Sequence, residues 1–421
     1  MLPRAVCAFL LTLLSLAAQQ APAPAARARQ ALDLLLAEKY SSLAELFTPD
    51  MKQKLTEEVL RTQVAPSIRQ LGKVQTIDEP KVQKIGQYTA VLFPLQFPAA
   101  SIIAQLTLNE AGQVAGLFFR PAETAPAAAW QRPAYSKPDS FRERDVTIGD
   151  DRWKLPGTLA VPAGKGPFPA VALVHGSGPN DRDETVLATK PFRDLAEGLA
   201  SRGIAVLRYE KRTKVYGAAL ASAKGLTVQE ETVEDAARAA ALLRTLPEID
   251  ARRVFVLGHS LGGYVAPRIA KQDAKLAGVI ILAGNTRPLE ELVAEQTEYL
   301  SSLGGGSSET AKQQAEALLQ SLPAEYLRDL HSYDAPMTAR ELAAPLLILQ
   351  GERDYQVTMQ DFAGWKKGLE QRKDVTFRSY PALNHLFVAG EGKSSPAEYQ
   401  KPAHVSGDVI DDIAKWVAAR K

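Results

Sequence analysis

Cysteine is almost absent from this chain of 421 residues, which has a single one, Cys7. One thiol cannot form an internal disulfide, and no paired cysteines are available for a structural zinc site. Charge imbalance is missing too, because 50 Lys and Arg residues face 48 Asp and Glu residues, for a formal net charge of +2. This balance gives no reason to expect binding to nucleic acid or to an anionic membrane surface.

Three cofactor motifs are also missing. The sequence has no G-x-x-x-x-G-K-[ST] phosphate loop, no G-x-G-x-x-G dinucleotide fingerprint and no H-E-x-x-H metal motif. We therefore expect no nucleotide, no metal and no other cofactor. Hydrophobic residues make up 46% of the chain and charged residues 23%, which is ordinary for a globular protein with a sizeable core.

The first residues predict export. Met1–Arg4 is followed by an apolar run from Ala5 to Ala18 and by small residues suited to cleavage, as in a secretory signal peptide. The run is too short for a comfortable membrane span. Removal of residues 1–21 would also remove Cys7, which suits an oxidising compartment. We predict a periplasmic or secreted protein without stable membrane insertion.

The most informative stretch is Gly258-His259-Ser260-Leu261-Gly262, which lies between the apolar run 254–257 and a helix-compatible run. In a G-x-S-x-G nucleophile elbow, the serine occupies a sharp strand-to-helix turn that only small flanking residues tolerate. Ser260 is therefore the candidate nucleophile. His259 is interpreted as a spacer within the elbow.

Two further segments supply an acid and a base in a fixed order. The buried strand 345–350 leads to Asp354, and the strand 375–380 leads to His385. The order Ser260, Asp354, His385 is that of α/β-hydrolases and differs from the orders in chymotrypsin-like and subtilisin-like proteases. In such a triad His385 takes the serine proton, while Asp354 orients the imidazole and stabilises its charged form.

The oxyanion of a tetrahedral intermediate needs two preorganised donors. The strand 170–174 leads into His175-Gly176-Ser177-Gly178-Pro179, a loop that can turn backbone N–H groups toward a substrate. We expect the donors to be the N–H groups of Leu261 and Ser177.

Each of these residues has rivals. His175 is expected to brace its turn, and His331 to be a solvated or lid residue. His404 rivals His385 but comes just before Ser406, a candidate helix N-cap, and no strand precedes it. Glu352 and Asp361 rival Asp354, although Asp361 falls within the next predicted helix. The basic residues Lys211, Arg212 and Lys214 are interpreted as a solvated face.

From about Tyr135 onward, the chain resembles bacterial secreted α/β-hydrolases of the serine esterase type, related to acylaminoacyl-peptidase-like and dienelactone-hydrolase-like enzymes. The tract 175–184, HGSGPNDRDE, is similar to the loop of EstD-type esterases, which carry a small N-terminal domain. The resemblance implies hydrolysis of carboxylic esters with short acyl chains, and it supports Ser260, Asp354 and His385. Residues 209–213 depart from it, because related enzymes often carry an Asp and a closing Arg-Gly there.

The chain divides into segments of different pattern. Residues 28–121 predict a small α+β domain with helical regions around 31–47 and 55–71 and strands at 82–85, 88–97, 101–108 and 114–119. Whether this domain binds a partner, dimerises or is purely structural is left open. An Ala- and Pro-rich linker is expected over 122–138. Residues 139–421 then predict an α/β-hydrolase fold, with an entry hairpin at 143–147 and 155–161 and a doubly wound, mostly parallel sheet.

A helical cap is expected over residues 285–344, with helices at 289–303 and 310–322 joined by the glycine run 304–306. Leu292, Val293 and Leu300 are candidates for the acyl pocket, although such a stripe is more often ordinary packing. The sequence thus predicts a serine hydrolase whose partner is a small-molecule ester. A serine peptidase of the acylaminoacyl or prolyl-oligopeptidase type, a non-catalytic binding protein on a hydrolase scaffold, and a homodimer stay open.

Overall fold

A computed structural model of the chain describes residues 23–97, 101–121, 130–150, 152–221, 226–303 and 307–420. The expected signal peptide, residues 1–21, lies outside this range. Contacts divide the chain into two units, Met1–Thr124 and Ala125–Lys421. Among the described helices, none combines the length and the apolar composition that crossing a membrane requires.

The first unit packs short helices against an antiparallel sheet of order β1-β3-β4-β5, in which β2 also pairs with β3. Apolar residues of the first helix, such as Leu32 and Leu35, share a core with Val91 and Phe93 of β3. Strands β2 to β5 lie within two residues of the predicted runs, whereas the two-residue strand β1 was not predicted. The elements are α1 Pro24–Leu36, α2 Tyr40–Glu45, α3 Pro49–Lys54, α4 Glu57–Val59, a π-helical turn Leu60–Val64, α5 Ala65–Gln70, β1 Thr76–Ile77, β2 Lys81–Ile85, β3 Tyr88–Gln96, β4 Ser101–Leu108 and β5 Val114–Pro121.

The second unit is built on an eight-stranded sheet of order β13-β12-β11-β10-β8-β9-β7-β6. Its strands are β6 Phe141–Ile148, β7 Leu155–Pro162, β8 Phe168–Val174, β9 Ala205–Tyr209, β10 Ile249–His259, β11 Gly278–Leu282, β12 Leu346–Gly351 and β13 Val375–Tyr380. Only β7 pairs antiparallel, with β6 and β9, and the other neighbours are parallel. Central strands such as β9 and β11 are buried along their whole length, as expected when helices cover both faces. The predicted α/β-hydrolase fold is confirmed.

Helices cover both faces of this sheet. They are α6 Pro191–Ala200, α7 Arg212–Ala221, α8 Glu234–Thr245, α9 Leu261–Gln272, α10 Leu289–Leu303, α11 Ser308–Gln320, α12 Ala324–His331, α13 Ala335–Arg340, α14 Met359–Gly368 and α15 Gly407–Ala418. Apolar residues of α6 and α15 form the core on one face, and those of α8, α9 and α14 form the core on the other. Thr227 and Glu230 form a capping box, and the chain then makes a π-helical turn, Gln229–Val233, before α8 begins.

Four helices, α10 to α13, occupy the region expected to form a cap. Helix α10 has the predicted bounds, and α11 starts two residues earlier than predicted. The short helices α12 and α13 were not predicted, because six to eight residues give little periodic signal. The glycine run 304–306 lies outside the described residues.

Part of the expected linker packs on the second unit. Residues 122–129 fall outside the described range, but 130–138 lie along α6. The Trp130 Nε1–H donates to Asp194 Oδ1 at 2.9 Å, and the Ser136 hydroxyl donates to Glu197 Oε2 at 2.6 Å. These contacts make 130–138 an ordered edge of the second unit.

Candidate active site

Ser260 occupies a strained turn between β10 and α9. Its backbone has φ 53° and ψ −118°, a conformation that non-glycine residues adopt at an energetic cost. The flanking glycines are sterically required, because a Cβ on Gly258 would lie 2.1 Å from the Gly262 carbonyl oxygen. A Cβ on Gly262 would in turn lie 2.2 Å from the Val174 carbonyl oxygen. This is the geometry that the G-x-S-x-G pattern predicts.

His385 and Asp354 are joined directly. The two atoms His385 Nδ1 and Asp354 Oδ2 are 2.7 Å apart, and both side chains are buried. The other carboxylate oxygen, Asp354 Oδ1, accepts from the backbone N–H groups of Gln356 and Val357 at 2.7 and 3.1 Å. The carboxylate is therefore fixed by the turn after β12, and it fixes the orientation of the imidazole.

Ser260 and His385 line one cavity of about 710 Å³ beneath the cap. No hydrogen bond links these two side chains in the described part of the chain, and catalytic contacts of this kind are often long before a substrate binds. Apolar side chains from four helices and neighbouring loops dominate the walls, namely Val186, Leu226, Leu261, Leu289, Val293, Leu318, Leu322 and Leu330. Polar groups reach the cavity at Thr213, Glu231, Tyr326, Tyr355, Gln356 and Tyr399.

A second, much smaller cavity of about 60 Å³ adjoins Ser177, Ser260 and Leu261. Leu292 on α10 lines this small cavity, whereas the next residue, Val293, lines the large one. Leu300, the third candidate for an acyl pocket, is 37% exposed.

Two backbone N–H groups that line the cavities with Ser260 have no acceptor among the described residues. The Leu261 N–H belongs to the first turn of α9, where helical N–H groups have no partner within the helix. Neither it nor the Ser177 N–H donates a hydrogen bond to any described residue. Both residues line the two cavities.

A buried ion pair ties the loop to the elbow. Glu184 accepts the Gly176 N–H at 2.6 Å through Oε1, and its Oε2 lies 2.9 Å from His259 Nδ1. The latter contact departs from hydrogen-bond geometry, so it is best described as an ion pair. His259 Nε2 lies 3.0 Å from the carbonyl oxygen of His385. His259 is thus more than the spacer that the sequence suggested.

The electrostatics of this pair favour charge on both members. Burial alone would disfavour the charged form of His259, but the adjacent Glu184 carboxylate raises the pKa of His259 above its usual value. For Glu184, burial is likewise outweighed by His259, and the pKa of the carboxyl is lowered. Each charge is the reason that the other can be buried.

The interpretation of Lys211 and Arg212 as a solvated face was wrong. Both side chains are only 2% exposed, while Lys214 is exposed. Arg212 pairs with Asp235 at 2.9 Å, and Lys211 Nζ lies 3.3 Å from Glu231 Oε1. The carboxylates compensate for burial of the cations, and a pattern of local charge cannot show such distant partners.

The rivals of the predicted site residues have other partners. Burial lowers the pKa of His175 to about 4, and its Nε2 lies 3.0 Å from the Asp181 carbonyl oxygen, so this neutral ring braces the loop. His404 contacts Asp194, and His331 is an exposed residue of α12 next to Glu290.

The rival acids also point elsewhere. Glu352 accepts the Ser379 hydroxyl at 2.7 Å on the exposed side of β13. Asp361 binds the backbone N–H of Thr286 at 2.8 Å and the guanidinium of Arg287 at 2.9 Å. Neither residue contacts His385. Within the described residues, no cluster of three or more His, Cys, Asp or Glu side chains could hold a metal ion.

Residues 192–404 match the model of the Prolyl oligopeptidase family, and residues 28–117 match a family described as protein of unknown function DUF3887. The chain is 43% identical over 343 residues to esterase EstD of Thermotoga maritima, covering 79% of this chain and 80% of EstD.

Solved structures resemble the fold at low sequence identity. The Pyrococcus furiosus esterase Pf2001 matches with 16% identity and a TM-score of 0.46, over 67% of this chain and 92% of that one. A puromycin-hydrolysing peptidase of Mycobacterium tuberculosis matches with 18% identity and a TM-score of 0.46, over 82% of this chain and 49% of that one.

Proposed function

The chain belongs to the prolyl oligopeptidase family. We propose that it is a carboxylic ester hydrolase whose nucleophile is Ser260. The observation that carries the proposal is the position of Ser260 in its strained elbow, in the same cavity as the His385–Asp354 pair. The named esterase relative, 43% identical, supports the ester as substrate class.

The proposed chemistry proceeds through an acyl-enzyme. As Ser260 Oγ attacks the ester carbonyl carbon, His385 Nε2 takes the hydroxyl proton and then gives it to the departing alcohol. The contact between Asp354 Oδ2 and His385 Nδ1 holds the tautomer that leaves Nε2 free to accept this proton. Water, deprotonated by His385, then attacks the acyl-Ser260 ester and releases the carboxylic acid.

The oxyanion of each tetrahedral intermediate is proposed to bind the N–H groups of Leu261 and Ser177. Both groups lack other acceptors within the described residues, and both adjoin Ser260. Removal of one such donor typically lowers turnover by about a hundred- to a thousand-fold.

A short acyl chain fits the small cavity better than a long one. Its volume is about 60 Å³, less than a tenth of the 710 Å³ of the large cavity. We therefore propose acetyl to propionyl groups as the preferred acyl part, with the alcohol part in the larger cavity.

The test is hydrolysis of p-nitrophenyl esters from acetate to palmitate by the purified protein. We expect activity on the short esters, and we expect Ser260→Ala to lower kcat by about a million-fold. Ser332→Ala, a change at an exposed serine after α12, is the matched control and should leave activity unchanged. A wild-type protein that cleaves no ester, or a Ser260→Ala variant that stays active, would contradict the proposal.

Peptide hydrolysis by the same residues is the second candidate, because the matching family is described as prolyl oligopeptidase. A panel of aminoacyl and peptidyl p-nitroanilides, run beside the esters, separates the two. If kcat/KM on the best amide exceeds that on the best ester, the protein is a peptidase with an esterase side activity.

Export is also proposed, from the signal-peptide pattern of residues 1–21 and the position of the single cysteine within it. Fractionation of expressing cells should recover the protein in the periplasm or medium, and N-terminal sequencing should begin between residues 18 and 22. Recovery of protein that still begins at Met1 in the cytoplasm would contradict this proposal.

A further inference from the structure

The peptide bond between Gly176 and Ser177 is held from one side. Its carbonyl oxygen, Gly176 O, accepts from Lys211 Nζ at 2.8 Å and from Asn180 Nδ2 at 3.1 Å. This bond is trans, so its N–H points opposite to its carbonyl oxygen within one rigid plane. Fixing the Gly176 oxygen therefore fixes the direction of the Ser177 N–H.

Lys211 is a buried cation next to the Gly176 carbonyl group. The Lys211 side chain is 2% exposed, and a buried charge is destabilising unless it is compensated. Glu231 supplies the compensation at 3.3 Å and also accepts from the hydroxyls of Thr213 and Tyr326 at 3.0 and 2.8 Å. This network therefore keeps the Lys211 ammonium in contact with the Gly176 carbonyl oxygen, in the loop beside Ser260.

The lysine backbone adds a second tie to the same loop. The Lys211 N–H donates to the carbonyl oxygen of Asn180 at 3.1 Å, and the Asn180 side-chain amide donates to the carbonyl oxygen of Gly176. The start of α7 and the loop after β8 therefore act as one unit.

We propose that Lys211 is the positioning residue of the oxyanion site, because its ammonium orients the Gly176–Ser177 peptide and strengthens the Ser177 N–H as a donor. The inference rests on the proposed function of Ser177. A donor bonded to the carbonyl of an amide polarises that amide, and chains of hydrogen bonds strengthen one another. The benefit appears when negative charge develops on the substrate oxygen, so it acts on the transition state more than on the bound ester.

The test compares Lys211→Met with Lys211→Gln on the full chain. Methionine keeps most of the volume but has no donor, whereas glutamine keeps an N–H donor without the charge. Active-site titration with a fluorophosphonate gives the concentration of functional enzyme, so that kcat is counted per folded site. Arg244→Met, which breaks a pair with Asp273 on α8 and α9, is the control for loss of an ion pair elsewhere.

We expect Lys211→Met to lower kcat about a hundred-fold with KM changed less than threefold, as for removal of one oxyanion donor. Affinity for a trifluoromethyl ketone, which forms a tetrahedral adduct with an oxyanion, should fall by a similar factor. Lys211→Gln should recover part of both losses. Arg244→Met should keep the wild-type kcat.

Three results would overturn the inference while leaving the proposed function intact, provided that wild type is active and Ser260→Ala is not. They are an unchanged kcat in Lys211→Met, a loss that appears in KM alone, and equal losses in the methionine and glutamine variants. If Lys211→Met yields no folded protein, Lys211→Gln against wild type decides: unchanged kcat and ketone affinity would contradict the inference, and a joint loss of both supports it. Absence of ester and amide hydrolysis by wild type would instead refute the proposed function itself.

Discussion

The two sides of Ser260 are built from different chemistry. On one side, the side chains of Asp354 and His385 follow β12 and β13 at the carboxyl edge of the sheet and contact each other. On the other side, the backbone N–H groups of Leu261 and Ser177 line the cavity, and the buried charged side chains of Glu184 and Lys211 contact Gly176 in the loop. The first side is suited to moving a proton, and the second to keeping dipoles fixed while charge develops.

The largest expected effect comes from breaking the first side alone. Asp354→Asn keeps the size of the side chain, but its amide no longer favours a proton on His385 Nδ1, so Nε2 loses its role as base. We expect kcat on the short p-nitrophenyl esters to fall about ten-thousand-fold. Gln350→Glu would not serve as a control, because Gln350 Nε2 contacts the same carboxylate at 3.2 Å.

A suitable control is Asp361→Asn, the rival carboxylate on α14. Its partners are Thr286 and Arg287, so the variant should lose stability while keeping most of its kcat. If Asp361→Asn and Asp354→Asn lost activity equally, the assignment of the acid would be wrong.

The next largest effect is expected from a change at Glu184, on the side of the backbone N–H groups. It is a loss of stability that depends on pH. Glu184→Gln retains an oxygen for the Gly176 N–H but removes the charge that His259 faces. Removing one partner of a buried pair typically costs about 3–5 kcal/mol. Urea unfolding of wild type and variant across the pH range measures the difference.

The pH range in which the Glu184–His259 pair stabilises the fold follows from the directions in which the two pKa values are shifted. The pKa of Glu184 is lowered below its usual 4.5, so its contribution is present above that pH and is lost as pH falls. The pKa of His259 is raised above its usual 6.5, so its contribution is complete below that pH and is lost as pH rises through the raised value. The difference between wild type and Glu184→Gln should therefore peak between about pH 4.5 and 6.5. A difference that does not vary with pH would show that the pair is not charged.

Sequence reasoning reached the side chains of the first side and the loop and donors proposed for the second, but it missed the buried charges that hold that loop. Ser260, Asp354 and His385 each follow a predicted strand, and parallel strands place such residues at one edge of the sheet whatever the loops do. Glu184 and Lys211 gave no comparable signal, because their partners His259 and Glu231 lie 75 and 20 residues away in the chain. Sequence analysis predicts that a charged residue is exposed unless its partner is known.

The elements of the fold also differ in how well the sequence predicts them. Elements with a regular pattern, such as β13 and α10, were predicted to the residue, since their period repeats over several turns or pleats. The short cap helices α12 and α13 depend on tertiary contacts, for instance the Tyr264 hydroxyl donating to the Tyr333 carbonyl at 2.7 Å between them. Such contacts join α9 to the cap and leave no local trace in the sequence.

The smallest expected effect separates the choice of ester from both sides of the chemistry. Leu292 lines the small cavity but contributes neither a proton acceptor nor an oxyanion donor. Leu292→Ala should enlarge that cavity, so kcat/KM on the butyrate ester relative to the acetate ester should rise. One methylene in an apolar pocket is worth about 1–3 kcal/mol, which sets the scale at about tenfold or more.

Val293→Ala is the matched control, because Val293 is the neighbouring residue of α10 and lines the large cavity instead. The same series of esters measured with both variants gives the ratio within each enzyme, so differences in folded fraction cancel. If the two variants shifted the ratio equally, the small cavity would not be the acyl pocket. A shift confined to Leu292→Ala, with the response to the trifluoromethyl ketone unchanged, would show that acyl selection is independent of how the proton and the oxyanion are handled.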